Sequence, residues 1–140
     1  MSGRSFFDTN IVVYGFDRTD FEKTKASLRL LADIADTGVG VISYQVVQEV
    51  INVALHKFRP AMSPFEAGEY IQGLLEEFEI VMWSPRLVSR ALEIRERHKF
   101  AWYDCLIVAA ALEAKCDVLY TEDLQHGQRI EGLTVVNPFL

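Results

Sequence analysis

The sequence predicts an α/β protein, a three-layer α/β/α sandwich whose central sheet is mainly parallel. Short apolar runs of strand length alternate with longer segments of helical periodicity along the chain. This alternation is typical of a parallel sheet covered by helices. Residues 105–112 contain no side chain more polar than a thiol. Because a helix that is apolar on every side must be buried, this segment predicts a helix inside the core.

The first half of the chain predicts two strands and three helical segments. Its elements are, in order, a strand at residues 4–7, a short helical or irregular piece at 11–16, a helix from 19 or 20 to 37, a strand at 39–42 and a helix from 43 to about 57. The strands are short apolar runs, and the long helix has an apolar stripe that ends before Gly38, a residue suited to a helix C-terminus. Ser43 is a favourable N-cap for the third helical segment.

The second half begins with residues 63–66, Ser-Pro-Phe-Glu, a capping box with proline at the first helical position. The elements that follow this helix are a strand at 79–83, a helix at 85–98, the buried helix from about 102 to 115, a strand at 117–120, a polar loop at 125–132 and an edge strand at 133–136. Ser84 and Pro85 repeat the serine–proline helix start, and Pro138 stops the last strand. No internal repeat is visible, and we expect residues 1–140 to form a single domain.

Composition and charge narrow the functional classes. The formal net charge of −6 argues against a protein that binds nucleic acid passively by bulk attraction, but it permits an enzyme that holds cations among clustered acids. No apolar run reaches the length of a membrane span, and the first four residues do not form a signal peptide. Cys105 and Cys116 would lie roughly 16 Å apart along one helix, too far for a disulfide. We therefore expect a cytoplasmic protein without a membrane partner.

Four acidic residues recur where the predicted elements would bring them together. Asp8 and Asp123 follow the first and fourth strands. Asp104 opens the buried helix, and Glu49 lies on the helix after the second strand. In parallel sheets, sites form outside the carboxyl ends of the strands. Because packed carboxylates repel each other, such a group favours a hard divalent cation, Mg²⁺ or Mn²⁺, and two such ions could activate water and stabilise the leaving oxygen of a phosphodiester.

Some members of this group also have a simpler interpretation. Asp104 could merely cap its helix or favour the positive end of the helix. Glu49 could belong to an ordinary solvated face, which its local pattern favours. The neutral residues Thr9, Asn10 and Thr121 adjoin the acids and are suited to hydrogen bonds with metal ligands.

A row of basic residues follows the outer side of the helix at 85–98. Arg86, Arg90 and Arg97 recur at near-helical spacing, and Lys99 comes just after them. These residues are candidates for contacts with the phosphates of a substrate. A solvated face balanced by neighbouring glutamates explains the same pattern equally well.

The segments that carry the acids resemble those of PIN-domain ribonucleases. The similar segments are Phe6–Asn10, Ser43–Glu49, Trp102–Asp104 and Thr121–Gly127, and the resemblance extends over essentially the whole chain. Within this family the chain resembles the VapC-type toxins of bacterial toxin–antitoxin pairs. A phosphatase of the haloacid dehalogenase type also places an Asp after its first strand, but it needs a second Asp where this chain has Asn10.

The resemblance implies an Mg²⁺- or Mn²⁺-dependent endoribonuclease, a hydrolase of RNA phosphodiester bonds. It also implies a homodimer and an antitoxin protein, whose tail would offer an Arg to the acidic groove. The alternative function is a catalytically inactive PIN-fold module that binds or regulates a partner.

By motif position, the resemblance implies that the catalytic residues are Asp8, Glu49, Asp104 and Asp123. Three of them, Asp8, Asp104 and Asp123, would hold one or two metal ions, and Glu49 could act through a water. Thr121 would be an accessory residue. Glu122 could share or replace the role of Asp123, because the two acids are adjacent.

Overall fold

The computed structural model describes residues 3–140, which form a sheet covered by helices. The strands are β1 (Arg4–Phe7), β2 (Val39–Ser43), β3 (Glu79–Val81), β4 (Val118–Tyr120), β5 (Arg129–Ile130) and β6 (Leu133–Val136). The helices are α1 (Thr9–Tyr14), α2 (Phe21–Thr37), α3 (Tyr44–His56), α4 (Pro64–Glu77), α5 (Pro85–His98) and α6 (Trp102–Glu113).

The strand order is β3-β2-β1-β4-β6-β5, and every neighbouring pair is parallel except β5 with β6. From β1 to β3 the chain moves in one direction across the sheet, and it then returns past β1 to β4. Because crossovers between parallel strands are right-handed, α1 to α4 cover one face of the sheet, and α5 and α6 cover the other. The predicted three-layer α/β/α sandwich with a mainly parallel sheet is confirmed.

The core lies around the central strands and α6. Phe6 and Phe7 of β1 are fully buried, as are Val41 and Ile42 of β2. In α6, Cys105 and the five residues from Ile107 to Ala111 are buried, so the helix that was predicted to lie inside the core does so. Its burial fixes where its first turn emerges at the edge of the sheet.

Two smaller expectations concern the cysteines and the membrane. Cys105 and Cys116 are both buried free thiols, as their predicted separation requires. Within residues 3–140, no helix combines the length and the apolar character that crossing a bilayer demands.

Hydrogen bonds at the helix N-termini confirm the predicted starts. Asp20, Ser43 and Ser84 each accept a bond from the backbone N–H three residues later. Ser63 and Glu66 form the reciprocal capping box that the sequence predicts. These caps satisfy backbone donors that a helix leaves unpaired in its first turn.

Two strand predictions are wrong in detail. The segment at 125–132 is not only a polar loop, because it contains β5. This strand pairs with β6 and lies outside it, so β6 is not the edge strand on this side of the sheet. β5 has two residues, of which only Ile130 is buried, so its apolar signal is too short to see. β3 ends at Val81, and Met82 and Trp83 are exposed outside it.

Candidate functional site

Asp8 occupies the point where β1 gives way to α1. Its side chain accepts a hydrogen bond from the backbone N–H of Thr9 at 2.7 Å and so caps α1. This cap explains why α1 begins at Thr9, earlier than the sequence predicts. The hydroxyl of Thr121 donates to the other carboxylate oxygen, Oδ2, at 2.8 Å. Asp8 is therefore held from two directions and is only 7% exposed.

Asp104 lies in the first turn of α6 and does not cap it. The N-cap position is Ala101, which makes no side-chain capping bond. The Asp104 carboxylate has no hydrogen bond or ion pair with any residue that the structure describes. Asp104 makes no capping hydrogen bond, so the structure does not support its interpretation as a helix cap.

Asp123 lies in the loop that follows β4. Its backbone N–H donates to the Thr121 hydroxyl oxygen at 3.1 Å. The same hydroxyl donates to Asp8, so Thr121, which is 1% exposed, links the two acids. Parallel pairing of β1 with β4 brings the ends of these strands side by side and makes this link possible.

The structure brings Asp8, Asp104 and Asp123 into one group, the acid cluster. Each offers a carboxylate oxygen, and these oxygens lie within 4.8 Å of one another. Burial raises the pKa of the Asp8 carboxyl from 3.8 to about 6, against hydrogen bonds from Thr121 and Thr9 that lower it. Burial also raises the pKa of Asp104, and the charges of Asp123 and Glu49 raise it further. The pKa of Asp123 is raised by burial and by the adjacent charge of Glu122.

The donor atoms of the acid cluster fit a hard divalent cation. They are carboxylate oxygens without sulfur or imidazole ligands, and such oxygens suit Mg²⁺, Mn²⁺ or Ca²⁺. Each carboxylate has about four lone-pair positions, so the two hydrogen bonds to Asp8 leave it able to bind a cation. The hydroxyl of Thr9 is buried without a hydrogen-bond partner among the residues described, which leaves a free polar atom on the residue next to Asp8. A cation bound among the three carboxylates of the acid cluster would relieve their mutual repulsion.

Glu49 lies beside the acid cluster but outside it. It is exposed on α3, and its Oε1 accepts a hydrogen bond from Gln45 Nε2 at 2.8 Å. Gln45 Nε2 also lies 3.4 Å from the backbone oxygen of Tyr103, the residue before Asp104. Glu49 is near enough for its charge to raise the pKa of Asp8 and Asp104, though it is a smaller cause than burial.

Glu122 faces away from the acid cluster. Its Oε1 accepts a hydrogen bond from the hydroxyl of Tyr14 at 2.8 Å, and its Oε2 pairs with Lys23 Nζ at 2.9 Å. Lys23 and Tyr14 were not singled out from the sequence. Lys23 is 99 residues from Glu122, and no local pattern signals a contact at that distance. Asn10, the second residue of α1, makes no side-chain hydrogen bond within residues 3–140.

The four basic candidates form two groups, one in the first half of α5 and one at its C-terminal end. Arg90 pairs with Glu131, which lies in the turn before β6, at the edge where the parallel strands begin. The acid cluster lies at the opposite edge, where β1 and β4 end. Arg86 is one turn before Arg90 and shares its end of the helix. Arg97 and Lys99 lie at the other end, just before α6 begins.

Comparison with known proteins identifies a family and a set of similar folds. The model of the PIN domain family matches residues 5–129. No curated protein sequence matches the chain. In structure, the chain is similar to a toxin–antitoxin complex from Klebsiella pneumoniae, at 23% identity over 96% of this chain and 97% of that one, with a TM-score of 0.67.

Two further structures have similar folds. One is VapBC2 from Rickettsia felis bound to a DNA fragment from their promoter, at 20% identity over 94% of this chain and 96% of that one, with a TM-score of 0.66. The other is Mycobacterium tuberculosis VapC20, a sarcin–ricin loop cleaving toxin, at 19% identity over 85% and 89% of the two chains, with a TM-score of 0.67. At these identities the likeness shows the fold alone.

The raised pKa of Asp8 predicts how pH changes the stability of the metal-free protein. A carboxyl with a pKa of 3.8 unfolded and about 6 folded binds its proton more tightly in the folded state. Protonation of Asp8 therefore stabilises the folded state. This stabilisation is fully present below the unfolded pKa of 3.8 and is lost as the pH rises through the folded pKa of about 6. At about 1.4 kcal/mol per unit, the full loss is about 3 kcal/mol.

Asp8→Asn cannot titrate, so in EDTA it should lose less stability than the wild type between about pH 4 and pH 7. At the upper end of this range it should be the more stable protein. Chemical denaturation at several pH values measures the difference. Glu69→Gln is the control, because it removes one exposed carboxylate from α4. Parallel pH profiles for wild type and Asp8→Asn would contradict the burial cost assigned to Asp8.

Proposed function

Because the chain belongs to the PIN domain family, we propose that it is a metal-dependent endoribonuclease and the toxin of a toxin–antitoxin pair. The observation that carries this proposal is the acid cluster of Asp8, Asp104 and Asp123, whose carboxylate oxygens converge within 4.8 Å. An unneutralised group of this kind destabilises the fold, and a catalytic cation gives it a purpose. The reaction would be hydrolysis of RNA phosphodiester bonds.

Asp8, Asp104 and Asp123 would hold the ion, which we propose to be Mg²⁺ or Mn²⁺, as one ion or two. The bound ion would supply Lewis-acid chemistry, polarising the phosphodiester and making water a stronger nucleophile at neutral pH. Thr121 fixes the orientation of Asp8 through its hydroxyl, and Thr9 does so through its backbone N–H. Hydrogen bonds of this kind orient metal ligands, and removing one typically lowers metal affinity by about tenfold or more.

Glu49 would take the proton from the attacking water. Its Oε1 is held by Gln45, which leaves Oε2 free of any hydrogen bond among the residues described. An exposed carboxylate beside the cluster could accept a proton from a water and pass it on to solvent, which the buried Asp8 could not do. General-base help of this kind contributes roughly a hundredfold or more to a rate.

Contacts to the RNA backbone would come from the end of α5 that lies near α6. Arg97 and Lys99 are exposed there, five to seven residues before Asp104 in the sequence. Arg86 and Arg90 are less suited to the same role, because Arg90 is paired with Glu131 at the opposite edge of the sheet. Phosphate contacts position a strand without reading its sequence.

An antitoxin and a second copy of the chain are the proposed protein partners. The similar structures from Klebsiella pneumoniae and Rickettsia felis are toxin–antitoxin assemblies. A basic side chain from an antitoxin would bind the acid cluster in the place of a cation. For the homodimer, the supporting feature is an apolar pocket between α3, α6 and the start of α5, rimmed by Tyr44, Trp83 and Tyr103. Trp83 and Tyr103 are 65% and 68% exposed, which is unusual for rings of this size.

Asp104→Asn tests the catalytic proposal. The variant keeps the shape of the side chain and removes one charge from the acid cluster, so cleavage of a pool of cellular RNA in Mn²⁺ should fall by a factor on the order of a hundred or more. A thermal melt in EDTA on the same preparation should show equal or higher stability, because one repulsion is gone.

Asp36→Asn is the matched control, since Asp36 is an exposed residue of α2, and it should cleave like the wild type. Full cleavage by Asp104→Asn would remove Asp104 from the reaction. No cleavage by the wild type, with EDTA and Mn²⁺ giving the same result, would favour the inactive binding module instead.

Trp83→Glu tests the dimer surface. A charge within the apolar pocket should turn a dimer into a monomer, because it must be desolvated when two copies meet. Size-exclusion chromatography with light scattering measures the mass. Phe65→Glu makes the same kind of change at a 75% exposed ring of α4 and should leave the dimer intact. A Trp83→Glu variant that remains dimeric would show that the pocket is not the interface.

A further inference from the structure

Glu122 and Asp123 are adjacent acids that face different surroundings. Asp123 belongs to the acid cluster, whereas Glu122 is held by Lys23 Nζ at 2.9 Å and by the Tyr14 hydroxyl at 2.8 Å. Lys23 Nζ also donates to the Tyr14 hydroxyl oxygen at 3.3 Å, which closes the three groups into a ring of contacts. The side chains of Glu122 and Lys23 are 18% and 32% exposed, so these contacts are partly shielded from water. Partial shielding favours this pair over a fully exposed surface ion pair.

Two aromatic rings lie beside the ammonium group of Lys23. Its Nζ lies 4.9 Å from the centre of the Tyr14 ring and 5.3 Å from that of Phe139. The two rings pack edge to face with their centres 5.3 Å apart. Cations are attracted to aromatic faces at such distances. Lys23 is therefore held by the rings even before Glu122 is considered.

These contacts join two of the three parts of the chain that carry the acid cluster. Tyr14 is the last residue of α1, the helix that Asp8 caps. Lys23 lies in the first turn of α2, and Glu122 lies between Thr121 and Asp123. The Thr121 hydroxyl provides one link between Asp8, at the start of α1, and the segment after β4, and the contacts of Glu122 provide a second link between the end of α1 and the same segment.

We propose that Lys23, Tyr14 and Glu122 form a positioning clamp that holds the loop after β4 so that Asp123, rather than Glu122, faces the cation. The inference rests on the proposed metal site. Two adjacent carboxylates on a short loop would otherwise compete for the same ion. Because Lys23 neutralises Glu122, the clamp removes that competitor and reduces its repulsion of Asp123.

Mn²⁺ affinity measured by isothermal titration calorimetry distinguishes positioning from charge. Lys23→Met removes a positive charge and Glu122→Gln removes a negative one, so a pure charge effect would tighten Mn²⁺ binding in the first variant and weaken it in the second. The clamp predicts that both variants weaken binding by about tenfold or more. The double variant should bind Mn²⁺ about as tightly as the single variant with the lower affinity, because both changes disrupt the same set of contacts.

Control variants repeat these charge changes on exposed positions of the same helix. Lys25→Met and Glu22→Gln should bind Mn²⁺ within about twofold of the wild type, since exposed charges are largely screened. Lys23→Arg can still pair with Glu122 and should retain most of the affinity. If Lys23→Met and Glu122→Gln fail to fold in a melt with EDTA, Tyr14→Phe decides the question. It removes only a hydroxyl, keeps the ring against Phe139, and should weaken Mn²⁺ binding in the same direction.

Several outcomes would overturn the clamp. Tighter Mn²⁺ binding by Lys23→Met would show that Glu122 acts through its charge or as a ligand, and unchanged binding would show that its pairing with Lys23 does not position the loop. Unchanged affinity in every clamp variant, with lower melting temperatures alone, would reduce the contacts to ordinary stabilisation of the fold. If the wild type binds Mn²⁺ and the clamp variants bind it equally well, only the clamp fails. If the wild type itself binds no Mn²⁺, the metal site fails and the clamp fails with it.

Discussion

The hydrogen bond from the Thr121 hydroxyl to Asp8 Oδ2 is the contact on which the candidate site depends. It forms because β1 and β4 are parallel neighbours in register, and the backbone N–H of Asp8 donates to the oxygen of Tyr120. The same hydroxyl accepts the N–H of Asp123. One buried side chain therefore holds the carboxylate of Asp8 and the backbone of Asp123, which lie 115 positions apart in the sequence, and the buried helix α6 brings Asp104 to them. Asp8 and Asp123 owe their relative position to the pairing of two strands.

The acid cluster lowers the stability of the fold when no cation is bound. Burial raises the pKa of each member, which means that ionised carboxylates are held there at a cost in free energy. The chain limits that cost by giving Asp8 two hydrogen bonds and by pairing Glu122 with Lys23. A bound cation would supply the remaining counter-charge. It would also let a protein with a net charge of −6 approach a polyanion such as RNA.

The sequence predicts the fold and the grouping of three acids because both follow from local signals. Apolar runs define the strands, capping residues define the helix starts, and the carboxyl ends of parallel strands share one edge. The division of labour between Glu122 and Asp123 could not be predicted, since it depends on Lys23, a residue 99 positions away. Helical spacing predicts that Arg90 and Arg97 lie on the same side of α5. It does not predict that Arg90 pairs with Glu131, because that contact depends on where β5 and β6 are placed. β5 itself has too few apolar residues to be recognised.

Anomalous scattering from a crystal soaked in Mn²⁺ is the most direct test of the metal site, because it locates the ion without reference to activity. We expect a peak within bonding distance of carboxylate oxygens of Asp8, Asp104 and Asp123, with Glu122 still paired to Lys23. A peak bonded to Glu122 in place of Asp123 would contradict the assignment of the fourth acid. No peak among the three carboxylates, in a crystal whose cluster is open to solvent, would contradict the metal site itself.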